Sequence, residues 1–390
     1  MRFSESYLGR WLAWLVIVSA LLINGGCAVM PFSNKDDSQV RLDKNLDTRM
    51  VPSLTMARLE TANPLHQRLI AGFSLPRHDN PVIKSYRDKI IGNPKSLQTT
   101  LNRSEPYLAY ILDAVESRGM PAEIALLPIV ESEFNPLVRS PSGAAGLWQI
   151  VPATGRGLKL RQDRWYDGRL DVVDSTRAAL DYLSRLHKMF DHDWLLALAA
   201  YNAGEGNLRK AIRKNRQNGR SSAYFTLPLK LETRVFVPKL LAIRDILRSP
   251  RFYGMNFSLP GPHQQFTTVN ANRRFSVHSL GRVCAAPASL MTLLNAGLLR
   301  GISPPNGPHI SRIPPGCVAN LETRLASDLA ANPLPKAVAA KPKVHRVKSG
   351  DSLWAIARAY QVTVASLARW NKIAVNSTLR LGQKLLIYPK

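Results

Sequence analysis

The chain has 390 residues, which allows two or three domains and a core large enough to fold independently. Its hydrophobic content of 45% and charged content of 21% exclude disorder throughout, and the single long apolar run, at the N-terminus, excludes a polytopic membrane protein. The formal net charge of +26 favours a polyanionic partner: nucleic acid, an anionic membrane or a polymer that carries carboxylates.

The N-terminus has the pattern of a signal peptide. Arg2 and Arg10 precede an uncharged stretch from Trp11 to Ile23, which is shorter than the roughly 18 to 20 residues of a permanent membrane helix. The small residues before Cys27 resemble a bacterial lipobox, although Asn24 stands where leucine is usual. We expect residues 1–27 to direct export and Cys27 to be acylated; the alternative is ordinary cleavage with no role for this cysteine.

The other two cysteines are Cys284 and Cys317. If Cys27 is acylated, they remain as an even pair in an oxidising compartment, where they can form a disulfide. The alternative is that both are small buried apolar residues. Three widely spaced cysteines do not make a zinc site, and we expect neither a metal nor a cofactor.

Composition and periodicity divide the rest of the chain. Residues 28–80 are polar and predict a loosely docked arm, and residues 81–250 predict a mainly helical domain. In that domain, Asp174 or Ser175 is expected to begin one helix, and residues 193–203 form another that is apolar on all sides and therefore buried. An intermediate region covers residues 251–330, a proline- and lysine-rich linker residues 331–344, and a small domain residues 345–390.

The small C-terminal domain has the order β-α-α-β. A strand near His345 is followed by helices from Ser352 and Thr363 and by a strand from Lys384. The segments GDSLWAIARAY, LARWN and LRLGQKLLIY resemble the LysM module, which binds glycans that contain N-acetylglucosamine. The resemblance implies glycan contacts at the following residues: Gly350, Asp351, Ser352 and Asn371.

A fainter copy of this pattern lies upstream. Ser276 and Asn295 are 19 positions apart, as are Ser352 and Asn371. The intermediate region is therefore interpreted as a degenerate LysM-like repeat, with Arg273 and Arg274 in place of the glycan loop. The alternative is coincidence in a helical segment.

Four blocks carry the chemistry: ESEFNPLVRSPSGAAGLWQIVPATG from residue 131, YDGRLDVVDSTRAALDYL from residue 166, AAYNAGEG from residue 199, and TLPLKLETRVFVPKLLAIRDIL from residue 226. In this order they resemble the lysozyme-like lytic transglycosylases, which cut the glycan strands of bacterial cell walls. The resemblance implies an α+β fold that is mainly α, with a lysozyme-like helical catalytic domain followed by the LysM domain.

Glu131 is the candidate catalytic acid. It ends the apolar segment ALLPIV, where desolvation would raise its pKa and keep it protonated near neutral pH. Glu133 would point away if the helix continues. Ordinary glycosidases use two carboxylates, but in the resembled family the 6-hydroxyl of N-acetylmuramic acid attacks the anomeric carbon and gives a 1,6-anhydro sugar without consuming water.

The resemblance assigns supporting or substrate-binding roles to Ser140, Gln149, Val151, Tyr201 and Asn202. Many relatives carry methionine where Val151 stands. Other readings are that Ser140 caps a turn, that Gln149 is a surface residue and that Tyr201 belongs to the core. Trp148 is interpreted as core, and Glu232 as structural or lining the groove.

The sequence therefore predicts an exported lytic transglycosylase that binds peptidoglycan glycan strands. It is expected to be a monomer in the periplasm of a Gram-negative bacterium, held at the outer membrane by lipid on Cys27. Nucleic acid is not an expected partner, because no recognition motif supports it and the basic charge suits peptidoglycan carboxylates and anionic lipid. The alternatives are a muramidase that uses water on the same fold and a non-catalytic peptidoglycan-binding protein.

Overall fold

Asparagine caps followed by proline begin the first helices. Asn63 and Asn80 accept hydrogen bonds from backbone N–H groups of helices whose first residues are Pro64 and Pro81. The computed structural model describes residues 63–257, 259, 261, 266–334, 342–360 and 362–388. Up to residue 248 its helices are α1 (Pro64–Ala71), α2 (Pro81–Gly92), α3 (Pro94–Arg103), α4 (Leu108–Glu116), α5 (Leu127–Ser132), α6 (Pro152–Gly157), α7 (Val172–Met189), α8 (Trp194–Ala203), α9 (Glu205–Gln217) and α10 (Leu231–Arg248).

All of these helices except α6 contribute to one hydrophobic core. The central helix α8 is buried from Leu195 to Ala200, which confirms that its lack of a polar face reflects burial. Helix α10 packs against α2, α5 and α8. This packing brings the end of α5 and the C-terminal half of α8 close to the first turns of α10, where Glu232 lies.

The start of α7 differs from the sequence prediction. Its cap is Asp171, whose carboxylate accepts hydrogen bonds from the N–H groups of Val173 and Asp174, so Asp174 and Ser175 lie inside the first turn. Asp171 also has a distant partner, Arg312, at 2.8 Å. A local pattern could not reveal that contact.

The expected arm also ends earlier than residue 80. Helix α1 buries Leu65 and Leu69 completely in the main core. The loop after it is fixed by the buried carboxylate of Glu123, which accepts hydrogen bonds from the N–H groups of Ser74 and Leu75 at 3.1 Å. Residues 64–75 therefore belong to the folded domain.

Two small β-α-α-β units follow the helical domain. The first comprises β1 (Thr267–Asn270), α11 (Val277–Val283), α12 (Ala288–Leu294) and β2 (Ile310–Ile313), and helix α13 (Leu321–Ala331) follows it. The second comprises β3 (Lys343–Arg346), α14 (Leu353–Ala359), α15 (Val364–Trp370) and β4 (Lys384–Ile387). Each unit pairs its two strands antiparallel, Thr267 opposite Ile313 and Lys343 opposite Ile387, and has its own core.

Cys284, at the end of α11, forms a disulfide with Cys317, which follows β2, and their Cα atoms are 5.1 Å apart. The described residues all belong to one compact unit, Arg58–Lys390. The signal peptide, Cys27, most of the expected arm and part of the expected linker lie outside the described residues. Among those that are described, no helix combines the length and the hydrophobicity that a membrane crossing requires.

Candidate active site

Glu131 is placed by the abrupt end of helix α5. The helix stops because Glu133 adopts a left-handed backbone conformation, with φ of 51°. The chain then turns, and the exposed Glu133 side chain forms an ion pair with Arg103 at 2.9 Å. Glu131, two residues earlier, faces a cavity instead.

This cavity has a volume of about 560 Å³ and lies between α5, the loop before α6, the end of α8 and the start of α10. It brings together all the residues that the sequence assigns to catalysis and substrate binding in the helical domain: Glu131, Ser140, Gln149, Val151, Tyr201 and Asn202. Glu131 and Glu232 are the two carboxylates among the described residues that line it. No group of three or more His, Cys, Asp and Glu side chains in the described ranges could hold a metal.

The Glu131 carboxyl has a strongly perturbed pKa. Part of the residue remains accessible from the cavity, but the protein packed around it raises the pKa to about 8, chiefly by desolvation. The negative charge of Glu232 raises this pKa further, whereas the positive charge of Lys239 lowers it. The group therefore holds its proton at neutral pH, as a general acid requires.

Helix α8 places Tyr201 and Asn202 on the wall next to Glu131. The Tyr201 hydroxyl donates to the carbonyl oxygen of Trp148 at 2.7 Å, and burial raises its pKa far above the usual value, so it stays protonated. The Asn202 side-chain oxygen accepts from the Thr233 hydroxyl at 2.8 Å. Trp148 is fully buried and donates to Thr176, which confirms its interpretation as core.

The loop between Ser140 and Ile150 forms the opposite wall. The Ser140 hydroxyl accepts from the N–H of Ala144 at 3.0 Å and contacts the Ser142 hydroxyl at 2.8 Å. The Gln149 side chain donates to the carbonyl oxygen of Gly146 at 2.9 Å. These bonds fix the loop, so the turn-capping role of Ser140 and its position in the cavity coexist.

Two buried charged residues, Arg169 and Asp167, support this loop. The buried Arg169 donates to the carbonyl oxygens of Gly143 and Ile150 at 2.7 and 3.1 Å. Asp167 holds the same guanidinium at 2.8 Å and accepts from Arg139 at 3.0 Å. Gly146 lies so close to residue 169 that a Cβ there would be 2.0 Å from its carbonyl oxygen.

Sequence reasoning left Glu232 with an open role and missed Lys239. The structure places both on the cavity wall, together with Val235 and Phe236. These four residues are spaced i, i+3, i+4 and i+7, so one face of a helix carries them all. That spacing, in a segment already singled out, is the signal that could have identified Lys239.

In the glycan loop of the C-terminal unit, the polar side chains bond within the protein. The Asp351 carboxylate contacts His345 Nε2 at 2.8 Å and accepts from the N–H of Lys348. Ser352 caps α14, and Asn371 bonds both the N–H and the carbonyl of Leu386. These side chains hold the loop in shape, and its backbone groups remain as the candidates for ligand contact.

Two regions of the chain match known domain families. The Transglycosylase SLT domain matches residues 103–223 and the LysM domain matches residues 345–387. Membrane-bound lytic murein transglycosylase F of Yersinia pestis is 28% identical over 166 residues, 40% of this chain and 30% of that protein. A crystal structure of lytic transglycosylase Slt from Pseudomonas aeruginosa is 26% identical over 37% of this chain and 24% of that chain, with a TM-score of 0.30, too low to establish a shared fold.

Membrane-bound lytic murein transglycosylase D of Escherichia coli K12 is more similar. It is 39% identical over 313 residues, which are 79% of this chain and 69% of that protein. The matched domains also bear out the predicted architecture, a mainly helical lysozyme-like domain with a LysM domain. The chain belongs to the family of membrane-bound lytic murein transglycosylase D.

Proposed function

We propose that this protein is a lytic transglycosylase that cleaves the β-1,4 bond between N-acetylmuramic acid and N-acetylglucosamine in peptidoglycan, with Glu131 as its acid and base. The observation that carries the proposal is a carboxyl of pKa about 8 on the wall of a cavity lined by Ser140, Gln149, Tyr201 and Asn202. Membership of the family supports the same activity.

The reaction needs two proton transfers at Glu131. The protonated carboxyl gives its proton to the glycosidic oxygen while the bond from that oxygen to the anomeric carbon breaks. The N-acetyl carbonyl of the muramic acid stabilises the positive charge that develops. The 6-hydroxyl of the same sugar then attacks the anomeric carbon, and its proton passes to the Glu131 carboxylate, which restores the acid without water.

The surrounding residues orient the substrate. Tyr201 and Asn202 are fixed by bonds to Trp148 and Thr233, and the loop with Ser140 and Gln149 is braced by its own hydrogen bonds. Groups held in place before the substrate arrives pay no reorganisation cost during the reaction. We assign to them the positioning of the acetamide and of the leaving oxygen.

Glu232 raises a second candidate, a muramidase. It lines the same cavity and its charge affects Glu131, and in a muramidase it would be the carboxylate that activates water. The product separates the two reactions, because a transglycosylase leaves 1,6-anhydro ends and a hydrolase leaves reducing ends.

We expect muropeptides released from purified sacculi by the full chain to carry 1,6-anhydro ends. The digestion is run in H₂¹⁸O and the products are weighed by mass spectrometry. Anhydro ends without ¹⁸O are the expected result, because the nucleophile belongs to the substrate. Reducing ends that carry ¹⁸O would identify a hydrolase and overturn the proposal.

We expect the rate of cleavage to fall as the pH rises through about 8, because the acid must be protonated to act. Two substitutions should move this alkaline limb in opposite directions. Glu232→Gln removes a negative charge and shifts the limb to lower pH, whereas Lys239→Met removes a positive charge and shifts it to higher pH. Rate profiles on soluble glycan strands measure both; shifts in the same direction would contradict the assignment of Glu131.

Binding and location complete the proposal. The C-terminal unit holds the enzyme on glycan strands through the backbone of the loop from Gly350 to Ser352, and its family match supports this role. The membrane-bound character of the relatives and the signal pattern before Cys27 support export and lipid anchoring at the outer membrane. We propose that the enzyme acts there as a monomer.

A further inference from the structure

The unit formed by residues 267–313 repeats the fold of the C-terminal unit with nearly constant spacing. Its first strand and its two helices begin at Thr267, Val277 and Ala288, each 76 residues before the corresponding element of the C-terminal unit at Lys343, Leu353 and Val364. The last strands begin 74 residues apart, at Ile310 and Lys384. The difference lies in the loop before the last strand, which is two residues longer in the upstream unit.

The two units also share their internal hydrogen bonds. Ser276 caps α11 as Ser352 caps α14. The Asn295 side chain donates to the carbonyl oxygen of Arg312 and accepts from its N–H, at 2.8 and 2.9 Å. Asn371 makes the same pair of bonds to Leu386, at 2.9 and 2.6 Å. Coincidence in a helical segment would reproduce neither this bonding nor the strand pairing.

The units differ at the loop before the first helix. Phe275 occupies the position of Asp351 and is fully buried. Its N–H donates to the Ser303 hydroxyl at 3.1 Å, and its carbonyl accepts from the Ser303 N–H at 2.9 Å. This loop is therefore bonded to the loop before the last strand, and backbone groups that would otherwise meet a ligand are used internally.

The helical domain contacts the upstream unit at these same two loops, the one before its first helix and the one before its last strand. The Trp165 ring lies 5.8 Å from the guanidinium of Arg274, in the first loop, and 4.8 Å from that of Arg300, in the second. Backbone bonds continue the contact: the Leu299 N–H donates to the Trp165 carbonyl, and the Asp167 N–H donates to the Gly297 carbonyl at 2.9 Å.

A buried ion pair adds a second connection. Arg312, on β2, donates to the Asp171 carboxylate at 2.8 Å, and the two side chains are only 5% and 4% exposed. Asp171 is the residue that caps α7. The upstream unit therefore contacts the start of α7 through Arg312, and the residues just before α7 through the bonds to Trp165 and Asp167.

We propose that residues 267–313 are a LysM module whose glycan-binding face has become a docking face for the helical domain, and that this docking positions the active-site loop. The connection is short. The Gly297 carbonyl accepts from the Asp167 N–H, and the Asp167 carboxylate pairs with Arg169. Arg169 in turn donates to the carbonyls of Gly143 and Ile150, at the two ends of the segment that contains Gln149. Gly297 is thus a positioning residue that acts through these bonds, and Arg312 is a second one that acts through Asp171, four residues after Asp167.

Gly297→Ala tests the docking directly. An added Cβ would lie 2.8 Å from the Tyr166 ring and 3.2 Å from the Asp171 Cβ, so it separates the two surfaces. Gly316→Ala is the matched control, since it lies in the turn just after β2 and nothing comes within 4 Å of its Cβ. Both variants are made in the full chain.

We expect Gly297→Ala to lower kcat on soluble glycan strands about tenfold, because small displacements of catalytic groups have large effects on rate. The alkaline limb of the pH profile should also move to lower pH, since a loosened loop admits water to Glu131 and lowers its pKa. Hydrogen exchange at the Asp167 and Leu299 amides, which are bonded across the interface, should accelerate. Gly316→Ala should match the unsubstituted protein in all three measurements.

Two further variants keep the test decisive if Gly297→Ala folds poorly. Arg312→Lys retains the charge and should recover most of the activity that Arg312→Met loses. Activity that falls only in proportion to the folded fraction, with an unchanged alkaline limb, would reduce the module to a stabilising element and overturn the proposal. Because the activity readouts rest on the proposed function, the amide exchange rates and the products of the unsubstituted enzyme show which of the two has failed.

Discussion

Glu131→Gln is expected to lower the rate of glycan cleavage at least about a thousandfold while binding to sacculi is retained. Glutamine keeps the shape of the side chain but has no proton to transfer, and both steps of the reaction pass through this group. The measurement is release of muropeptides from sacculi, with co-sedimentation as the test of binding. Glu133→Gln is the matched control, because this nearby glutamate is exposed, pairs with Arg103 and lies outside the cavity.

The same substitution should stabilise the fold as the pH rises. The Glu131 pKa is raised from 4.5 when unfolded to about 8 when folded, so the folded state binds more protons between these values. The free energy of unfolding of the unsubstituted protein therefore falls as the pH rises through this window, and the variant escapes that loss. We expect a gain on the order of 1 to 3 kcal/mol at pH 7 and a small difference at pH 5, measured by chemical denaturation.

A variant that is inactive and equally stable at every pH would show that the carboxyl is not held in its protonated form. A variant that retains activity would place the catalytic acid elsewhere. The two measurements therefore test the chemistry and its physical cause separately.

Gly146→Ala is expected to destabilise the protein by about 3 kcal/mol or more and to abolish cleavage in the fraction that remains folded. Its Cβ would lie 2.0 Å from the Arg169 carbonyl oxygen, at a position where φ is 81°. Neither backbone can withdraw easily, because Arg169 holds the carbonyls on both sides of this turn.

Gly143→Ala separates the clash from the backbone conformation. Gly143 has the same φ of 81°, but the nearest atoms to its Cβ are those of Pro152, at 3.6 Å or more. It should therefore cost only the left-handed conformation, about 1 to 2 kcal/mol. Denaturation curves and cleavage rates compare the two variants; equal losses would mean that the approach to residue 169 has no role.

The cavity residues could be predicted from sequence because their information is local. Glu131 ends an apolar segment, and the resemblance of the short blocks around it implies the roles of Ser140, Gln149, Tyr201 and Asn202. The structure places all of them around one cavity. The C-terminal strands and helices could also be predicted, since capping and alternation act within a few residues.

The remaining features depend on contacts between distant parts of the chain. The cap of α7 lies three or four residues before the predicted one, because in the sequence Asp171 resembles any other acidic residue and its pairing with Arg312 is visible only in the fold. The sequence predicts an arm where α1 lies, because the burial of α1 comes from partners far along the chain, such as the Leu247 carbonyl that contacts His66 at 2.8 Å. The glycan-contacting role of the loop from Gly350 to Ser352 stays a prediction, and the intramolecular bonds of Asp351 follow only from the fold.

The burial of α1 sets how far from a membrane the enzyme can work. If Cys27 carries acyl chains as proposed, the first described residue after it is Asn63, whose side chain caps α1 and also donates to the Leu259 carbonyl at 2.8 Å. The chain from Cys27 to Asn63 spans at most roughly 130 Å even when fully extended. The anchor would therefore limit how far the catalytic cavity can move from the membrane. Glycan strands beyond that limit would not be cleaved, whatever their chemistry.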